Sequence, residues 1–226
     1  MAGDFDVPLI LDIDGTLTRP TGKGIDPRVF DPIQNWEGTV IFATGKAFPY
    51  PVTLAHFIGV PEIAVAENGG IVNTGDKFFI NGDRDAPRSV LEEYQSLGHT
   101  VEWGLNHPLN RWRETEVAVS LNQDKKDLER IAKKQGLRVI DTGYAYHIKQ
   151  PDIDKGKGIA TLEEKLGIDV SSGIAIGDSI NDVATFEMVE HSFAVANADS
   201  AAKASADTVL DDAHADGTLS VMTQPP

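Results

Sequence analysis

Short apolar runs bounded by turn residues recur along the chain, and each predicts a buried strand. The runs cover residues 7–13, 39–43, 63–66 and 173–176, with short strands near Ala194 and Val209 and a hairpin of 71–73 with 78–80. Helical patterns lie between them, including one over residues 51–58 that ends at Gly59. This alternation predicts a doubly wound α/β core built on a mainly parallel sheet.

The middle of the chain carries a different pattern. One helix is predicted by apolar residues at helical spacing: Val90, Leu91, Tyr94 and Leu97. A half-exposed strand is predicted by apolar residues that alternate with small ones: Val117, Val119 and Leu121. Such strands suit an antiparallel or mixed sheet with one open face, as in a lid. We therefore expect an inserted α/β cap domain over residues 82–151 and a core domain made of residues 1–81 and 152–226.

Two aspartates stand where the first predicted strand ends. Asp12 and Asp14 precede a turn formed by Gly15 and Thr16. In open α/β sheets the reactive groups lie beyond the carboxyl ends of the strands. Two neighbouring carboxylates repel each other there, so they need a cation or a shared proton. The pair predicts a charged site, although an acidic turn after a strand is also common.

A second acidic motif follows the run at residues 173–176. Asp178 and Asp182 are four residues apart, which places both carboxylates on one helical face if a helix begins near Ser179. The chain has no cysteine, and no histidine lies near either motif, so zinc is disfavoured. Carboxylates and water suit the octahedral oxygen coordination of Mg²⁺. We therefore expect one Mg²⁺ site formed by four aspartates: Asp12, Asp14, Asp178 and Asp182.

The first aspartate pair suits phosphoryl transfer. Asp12 could attack phosphorus and form an aspartyl phosphate. Asp14 could protonate the leaving oxygen and then take a proton from water. These roles need opposite protonation states in neighbouring carboxyls, and a bound dication would supply the asymmetry.

Two further positions are candidates for binding a phosphoryl group. Thr44 and Gly45 follow the second predicted strand, where a hydroxyl could hydrogen-bond a phosphoryl oxygen. Lys155 could neutralise charge on the transferred group. Lys157 is a rival for that role, and an ordinary turn and a solvated lysine are the simpler interpretations of these residues.

The motifs resemble those of the haloacid dehalogenase superfamily of aspartate-nucleophile phosphatases. Residues 12–16 match its Asp-x-Asp-Gly-Thr motif, Thr44 its second motif, Lys155 the lysine of its third, and residues 177–182 its Gly-Asp-x-x-Asn-Asp motif. The matches keep their order over nearly the whole chain. The resemblance implies that Lys155 binds the substrate phosphate and that Asp14 contacts Mg²⁺ through its backbone carbonyl.

Within that superfamily the chain is most similar to archaeal phosphoglycolate phosphatases. The similar segments are residues 67–70, 110–114, 143–147 and 154–156. This resemblance implies Mg²⁺-dependent hydrolysis of 2-phosphoglycolate to glycolate and phosphate, with Asp12 as nucleophile and Asp14 as acid/base. One departure is Lys46, where relatives often carry Asn or Arg.

The predicted cap offers further substrate contacts. The carboxylate of a small acidic ester needs a cation, and Arg111 and Arg113 could offer a bidentate fork. His147 could donate to it as well. The alternative is structural: the arginines flank Trp112 and would form a solvated strand face, and His147 would be a buried structural histidine.

Charge limits the partners. The net charge is −15, with 20 basic and 35 acidic residues, so a phosphate backbone is repelled and nucleic acid is an unsuitable partner. No apolar run approaches the ~20 residues of a membrane helix. Residues 1–6 are acidic, unlike the start of a signal peptide. We expect a cytoplasmic protein acting on a small phosphorylated metabolite, in a high-salt cytoplasm rather than an ordinary one; the oligomeric state stays open.

Three other functions fit parts of the pattern. A sugar-phosphate phosphatase or a phosphomutase would use the same aspartates, and only release of free phosphate separates hydrolase from mutase. A receiver-like phospho-accepting signalling module also places Asp at strand ends near Thr and Lys. Against the module, a second carboxylate two residues after the nucleophile would hydrolyse the acyl phosphate quickly.

Overall fold

An eight-stranded sheet forms the centre of the computed structural model, which describes residues 7–21 and 24–225. Its strands are β1 (Leu9–Leu11), β2 (Val40–Ala43), β3 (Ile63–Ala66), β4 (Ile71–Thr74), β5 (Phe78–Ile80), β9 (Ile174–Gly177), β10 (His191–Ala194) and β11 (Thr208–Val209). The order is β11-β10-β9-β1-β2-β3-β4-β5, and the two antiparallel pairs are β3 with β4 and β4 with β5. The predicted α/β core with a mainly parallel sheet is confirmed.

Six helices of the described residues cover this sheet, and the sequence did not predict the last two of them. They are α1 (Phe30–Gln34), α2 (Pro49–Ile58), α6 (Lys155–Leu166), α7 (Val183–Phe186), α8 (Ser200–Ser205) and α9 (His214–Thr223). Gly59 ends α2 with a φ of +88°, a conformation that favours glycine. The acidic segment 1–6 and residues 22–23 of the connection before α1 lie outside the described residues.

A second, smaller sheet lies between β5 and β9 in the chain. Its order is β6-β8-β7, antiparallel throughout, with strands β6 (Val117–Ser120), β7 (Arg138–Asp141) and β8 (Ala145–Lys149). The helices α3 (Asp85–Ser96), α4 (Pro108–Arg111) and α5 (Lys125–Lys134) belong to the same stretch. A separate apolar cluster, which includes Tyr94, Leu128 and Ile148, holds these elements together. They fall inside residues 82–151, and we call this stretch the cap, as a proposed domain.

Two details of the cap differ from the sequence prediction. All four residues of β6 are buried, so the strand is not half-exposed. Asn110 closes the free edge of this strand, because its side chain bonds both the N–H and the carbonyl of Ala118. Leu97 is 54% exposed and follows the end of α3, so it is not part of the buried stripe.

The chain leaves the larger sheet and returns to it at one place. The backbone N–H of Asp83 donates to Gln150 Oε1 at 3.0 Å, which ties the two crossings together. Asn81 fixes the first crossing by donating to the carbonyl of Gly69 at 2.9 Å. Within the described residues, every helix is too short or too polar to cross a bilayer.

Candidate active site

Three carboxylates meet at the carboxyl ends of β1 and β9. These strands are parallel neighbours, with Leu11 opposite Ile176, and the N–H of Asp12 donates to the carbonyl of Ile176 at 3.0 Å. One carboxylate oxygen from each of Asp12, Asp178 and Asp182 lies within 4.8 Å of the others. An all-oxygen set of this kind fits a hard dication such as Mg²⁺.

Lys155 lies inside this cluster. Its fully buried ammonium donates to Asp12 Oδ1 at 2.6 Å and to Asp182 Oδ1 at 2.5 Å. Asp154 caps α6 and so sets the direction of the first helical residue, which is Lys155. Lys157 is exposed, so the structure brings only one of the two candidate lysines to the site.

The cluster has more negative than positive charge. Burial raises the pKa of Asp12 well above its usual value, opposed by Lys155 and reinforced by Asp182 and Asp178. Burial, with Asp182 nearby, raises the pKa of Asp178 to about 7. Burial alone would lower the pKa of Lys155, but Asp12 and Asp182 raise it overall. One ammonium does not balance three carboxylates. The remaining negative charge favours binding of a cation.

The loop after β9 brings Asp178 and Asp182 together in a way that the four-residue spacing did not predict. Ser179 caps a short 3-10 turn, so Asp178 precedes the helix and does not lie on its face. Asp182 Oδ2 instead accepts the N–H groups of Asp178 and Ser179, each at 3.0 Å. Gly15 (φ +81°) allows the close approach, because a Cβ there would lie 1.9 Å from Asp178 Oδ2.

The Asp14 carboxylate lines the cavity but is not part of the three-carboxylate cluster. Its side chain is 57% exposed, and Lys46 Nζ lies 2.9 Å from Asp14 Oδ2. Among the described residues, the carboxylate of Asp14 is therefore not one of those that meet around the candidate metal position. An exposed carboxyl can exchange protons with solvent, as an acid/base must.

A cavity of about 430 Å³ opens over these residues, between the core and the cap. Its lining includes Asp12, Asp14, Thr44, Gly45, Asp178, Arg113 and His147. Arg111 does not line it; that guanidinium lies over the ring of Trp112 at the exposed surface. Thr44 is buried, and its hydroxyl accepts the N–H of Lys46 at 3.2 Å.

The cap side of the cavity is cationic. Arg113 follows α4 and is buried, so the solvated strand face that the sequence allowed is wrong. Its Nη1 donates to the carbonyl of Gly45 at 2.9 Å and to Glu116 Oε1. His147 Nδ1 lies 2.8 Å from the same Glu116 oxygen. Glu116 did not stand out in the sequence, where it is one polar residue at the start of a strand.

The turn at residues 67–70 joins the core to the cap. Glu67 and Asn68 both have a φ of +51°, in the left-handed region. The Glu67 carboxylate accepts the N–H groups of Glu114 and Thr115 and the hydroxyl of Thr115, at 2.8–3.1 Å. Burial, opposed by Arg113, raises the pKa of Glu67 to about 7.

The Asn68 side chain links the acidic loop to the cationic wall. Asn181 donates to Asn68 Oδ1 at 3.0 Å, and Asn68 Nδ2 donates to Glu116 Oε2 at 3.0 Å. The ammonium of Lys149 donates to the carbonyl of Asn68 at 2.9 Å. The resemblance to phosphoglycolate phosphatases included residues 67–70, and the structure places this segment between the acidic loop and the cationic wall.

Comparison with known proteins identifies relatives over almost the whole chain. The haloacid dehalogenase-like hydrolase family matches residues 9–99 and 107–222. A protein of Halorubrum lacusprofundi named phosphoglycolate phosphatase is 49% identical over 217 residues, which are 95% of each chain. A protein of the same name from Natronomonas pharaonis is 50% identical over 95% of this chain and 96% of its own.

Solved structures share the fold. A crystal structure of a Thermoplasma acidophilum protein superposes with a TM-score of 0.83 and 25% identity, covering 96% of both chains. A haloacid dehalogenase-like hydrolase from Bacteroides thetaiotaomicron gives a TM-score of 0.75 at 18% identity, covering 96% of this chain and 98% of its own. The second likeness concerns the fold alone.

Proposed function

Because the chain belongs to the haloacid dehalogenase-like hydrolases, we propose that it is a phosphatase that hydrolyses 2-phosphoglycolate to glycolate and phosphate. One observation carries the proposal: Asp12, Asp178, Asp182 and Lys155 converge at neighbouring strand ends, and Asp12 and Asp178 line the cavity there. The names of the relatives that share about half of its residues support the substrate.

We propose that catalysis proceeds in two displacements at phosphorus. In the first, an Asp12 carboxylate oxygen bonds to phosphorus, the ester P–O bond breaks, and the leaving oxygen takes a proton from Asp14. In the second, water gives that proton back to Asp14 and bonds to phosphorus. The bond between Asp12 and phosphorus then breaks, and free phosphate leaves.

The other residues stabilise charge on the transferred group. Lys155 holds one Asp12 oxygen, which leaves the second oxygen for attack, and its ammonium neutralises phosphoryl charge. Thr44 and Gly45 lie at the neighbouring strand end, where they can contact phosphoryl oxygens. Mg²⁺ held by Asp12, Asp178 and Asp182, with the Asp14 carbonyl, would neutralise charge on the phosphoryl oxygens when bound.

We assign the glycolate carboxylate to the opposite wall. Arg113 and His147 line the cavity there, and their donors suit an anionic leaving group. Arg111 is not part of this assignment, because it lies at the surface. The cytoplasmic location and the unsuitability of nucleic acid as a partner rest on the sequence and stay predictions.

The test is a phosphate-release screen over 2-phosphoglycolate and sugar phosphates, with Mg²⁺ and with a chelator. We expect phosphoglycolate to be the best substrate, and both chelator and Asp12→Asn to abolish release. Asp152→Asn, at an exposed aspartate, is the matched control and keeps full activity. Full turnover by Asp12→Asn would show that another group attacks phosphorus. Phosphate transfer without release would indicate a mutase, and a lasting phosphoprotein would indicate a signalling module.

A further inference from the structure

Glu116 is a buried carboxylate that the two displacements do not use. Its side chain is fully buried, and both oxygens accept hydrogen bonds. Oε1 accepts from Arg113 Nη1 and from His147 Nδ1, and Oε2 accepts from Asn68 Nδ2. Two of these three partners line the cavity.

The bonds of Glu116 decide which atoms its partners offer to a ligand. Arg113 uses Nε for the carbonyl of Leu109 and Nη1 for Glu116 and the carbonyl of Gly45. Its Nη2 is then the part of the guanidinium left for the cavity. His147 faces Glu116 with Nδ1, so Nε2 is the ring nitrogen left for the cavity. A guanidinium and an imidazole held at fixed angles form a preorganised receptor for a planar anion.

Glu116 also allows this wall to carry positive charge. Arg113, His147 and Lys149 lie around it, and basic groups buried together would repel one another when charged. Burial alone would raise the pKa of Glu116, but His147 and Arg113 lower it, so the carboxylate is ionised at neutral pH. Its charge offsets part of the repulsion while its position, behind the two side chains, keeps it away from the ligand.

The opposite sides of the cavity therefore differ in charge. The floor carries the carboxylates of Asp12 and Asp178, and the wall carries Arg113 and His147. A substrate with a phosphoryl group at one end and a carboxylate a few atoms away matches both sides once a cation is bound at the floor. The phosphate ester of a neutral polyol has an uncharged leaving group, so it would leave the buried donors of the wall without an anion.

We propose that Glu116 is a positioning residue that makes the enzyme selective for esters with an anionic leaving group. It holds Arg113 and His147 so that Nη2 and Nε2 receive the leaving-group carboxylate. This inference rests on the proposed phosphatase function and names the feature of the substrate that the site reads.

The test compares two esters that differ only at the group in question. 2-Phosphoglycolate carries a carboxylate where 2-hydroxyethyl phosphate carries CH₂OH. In Glu116→Gln we expect KM for phosphoglycolate to rise at least tenfold, with kcat/KM for hydroxyethyl phosphate within twofold of wild type. Glu114→Gln is the matched control, because Glu114 pairs with Arg84 at the edge of the cap, and it keeps wild-type values for both esters.

Each outcome separates the two proposals. If Glu116→Gln loses activity equally on both esters, or keeps its KM for phosphoglycolate, the positioning role is overturned and the phosphatase function stands. Equal kcat/KM of the wild type for both esters would likewise overturn the positioning role and leave the phosphatase function standing. If the wild type releases phosphate from neither ester, the proposed function itself fails, and this inference fails with it.

A second variant covers the case in which Glu116→Gln does not fold. Arg113→Lys keeps a cation beside Glu116 but removes the guanidinium fork. We expect the same selective tenfold rise in KM for phosphoglycolate. An unchanged ratio of kcat/KM between the two esters would overturn the proposal.

Discussion

Lys155 is the residue at which the free energy of unfolding and metal binding should be most closely linked. It is fully buried and bonds Asp12 and Asp182 at 2.6 and 2.5 Å, so Lys155→Met leaves three carboxylates facing one another without a cation. Removing one partner of a buried ionic network costs about 3–5 kcal/mol. We expect that loss in the free energy of unfolding when a chelator is present.

Divalent cation should restore part of the loss. A ligand at one hundred times its Kd stabilises the native state by about 2.7 kcal/mol. Without the lysine, the three carboxylates should bind Mg²⁺ more tightly, so the variant should gain more than the wild type. The gap between the two proteins should therefore be smaller in Mg²⁺ than in chelator.

Urea unfolding followed by circular dichroism, at one constant ionic strength, measures both gaps. Lys157→Met is the matched control, because Lys157 is exposed one residue beyond Gly156, and its effect should stay within about 0.5 kcal/mol. The reasoning fails if Lys155→Met loses less than about 1 kcal/mol in chelator. It also fails if the gap to the wild type is the same with and without Mg²⁺.

Three further outcomes are expected. Asp14→Asn should slow hydrolysis of the acyl phosphate more than its formation, so acid-quenched samples should contain phosphoenzyme; none at any time would remove the acid/base role. With its pKa raised from 4.5 to about 7, Glu67 keeps a proton that the unfolded chain releases, so stability falls as pH rises through this window. Glu67→Gln should remove that slope, roughly 3 kcal/mol, in unfolding titrations at pH 4.5 and 8. Gly69→Ala should lower the melting temperature, because a Cβ there would lie 1.7 Å from the carbonyl oxygen of Asp154.

The sequence could predict the floor of the site because strand ends are visible in it. Asp12 and Asp178 each follow an apolar run, and parallel strands place such positions at one edge of the sheet. Spacing alone did not separate Lys155 from Lys157, since both flank Gly156; the family motif favoured Lys155, and the structure buries it in the site. The cap wall was harder to predict from the sequence, because Arg113, Glu116 and His147 meet through tertiary packing that no local pattern indicates.

Some elements also escaped prediction for local reasons. The buried side of α9 includes Ala215, Gly217 and Thr218, which give little apolar periodicity. The buried hydroxyl of Thr218 donates to the carbonyl of Thr16 at 2.8 Å, so its polar group is satisfied inside the protein. For α4, four residues are too few for a helical stripe to form. Tertiary contacts stabilise these helices, so their own sequence says little about them.

The position of β1 has a consequence for biosynthesis. It lies between β2 and β9, with Leu9 opposite both Val40 and Ile174. During translation one edge of β1 stays unpaired until β9 is made, more than a hundred and sixty residues later. The small antiparallel sheet, in contrast, has all of its strands once Lys149 is made. Pairings of such long sequence separation form slowly. A ribosome-bound intermediate should thus contain a folded cap and an incomplete core sheet that cannot yet bind a metal ion. The last quarter of the polypeptide then completes the active site.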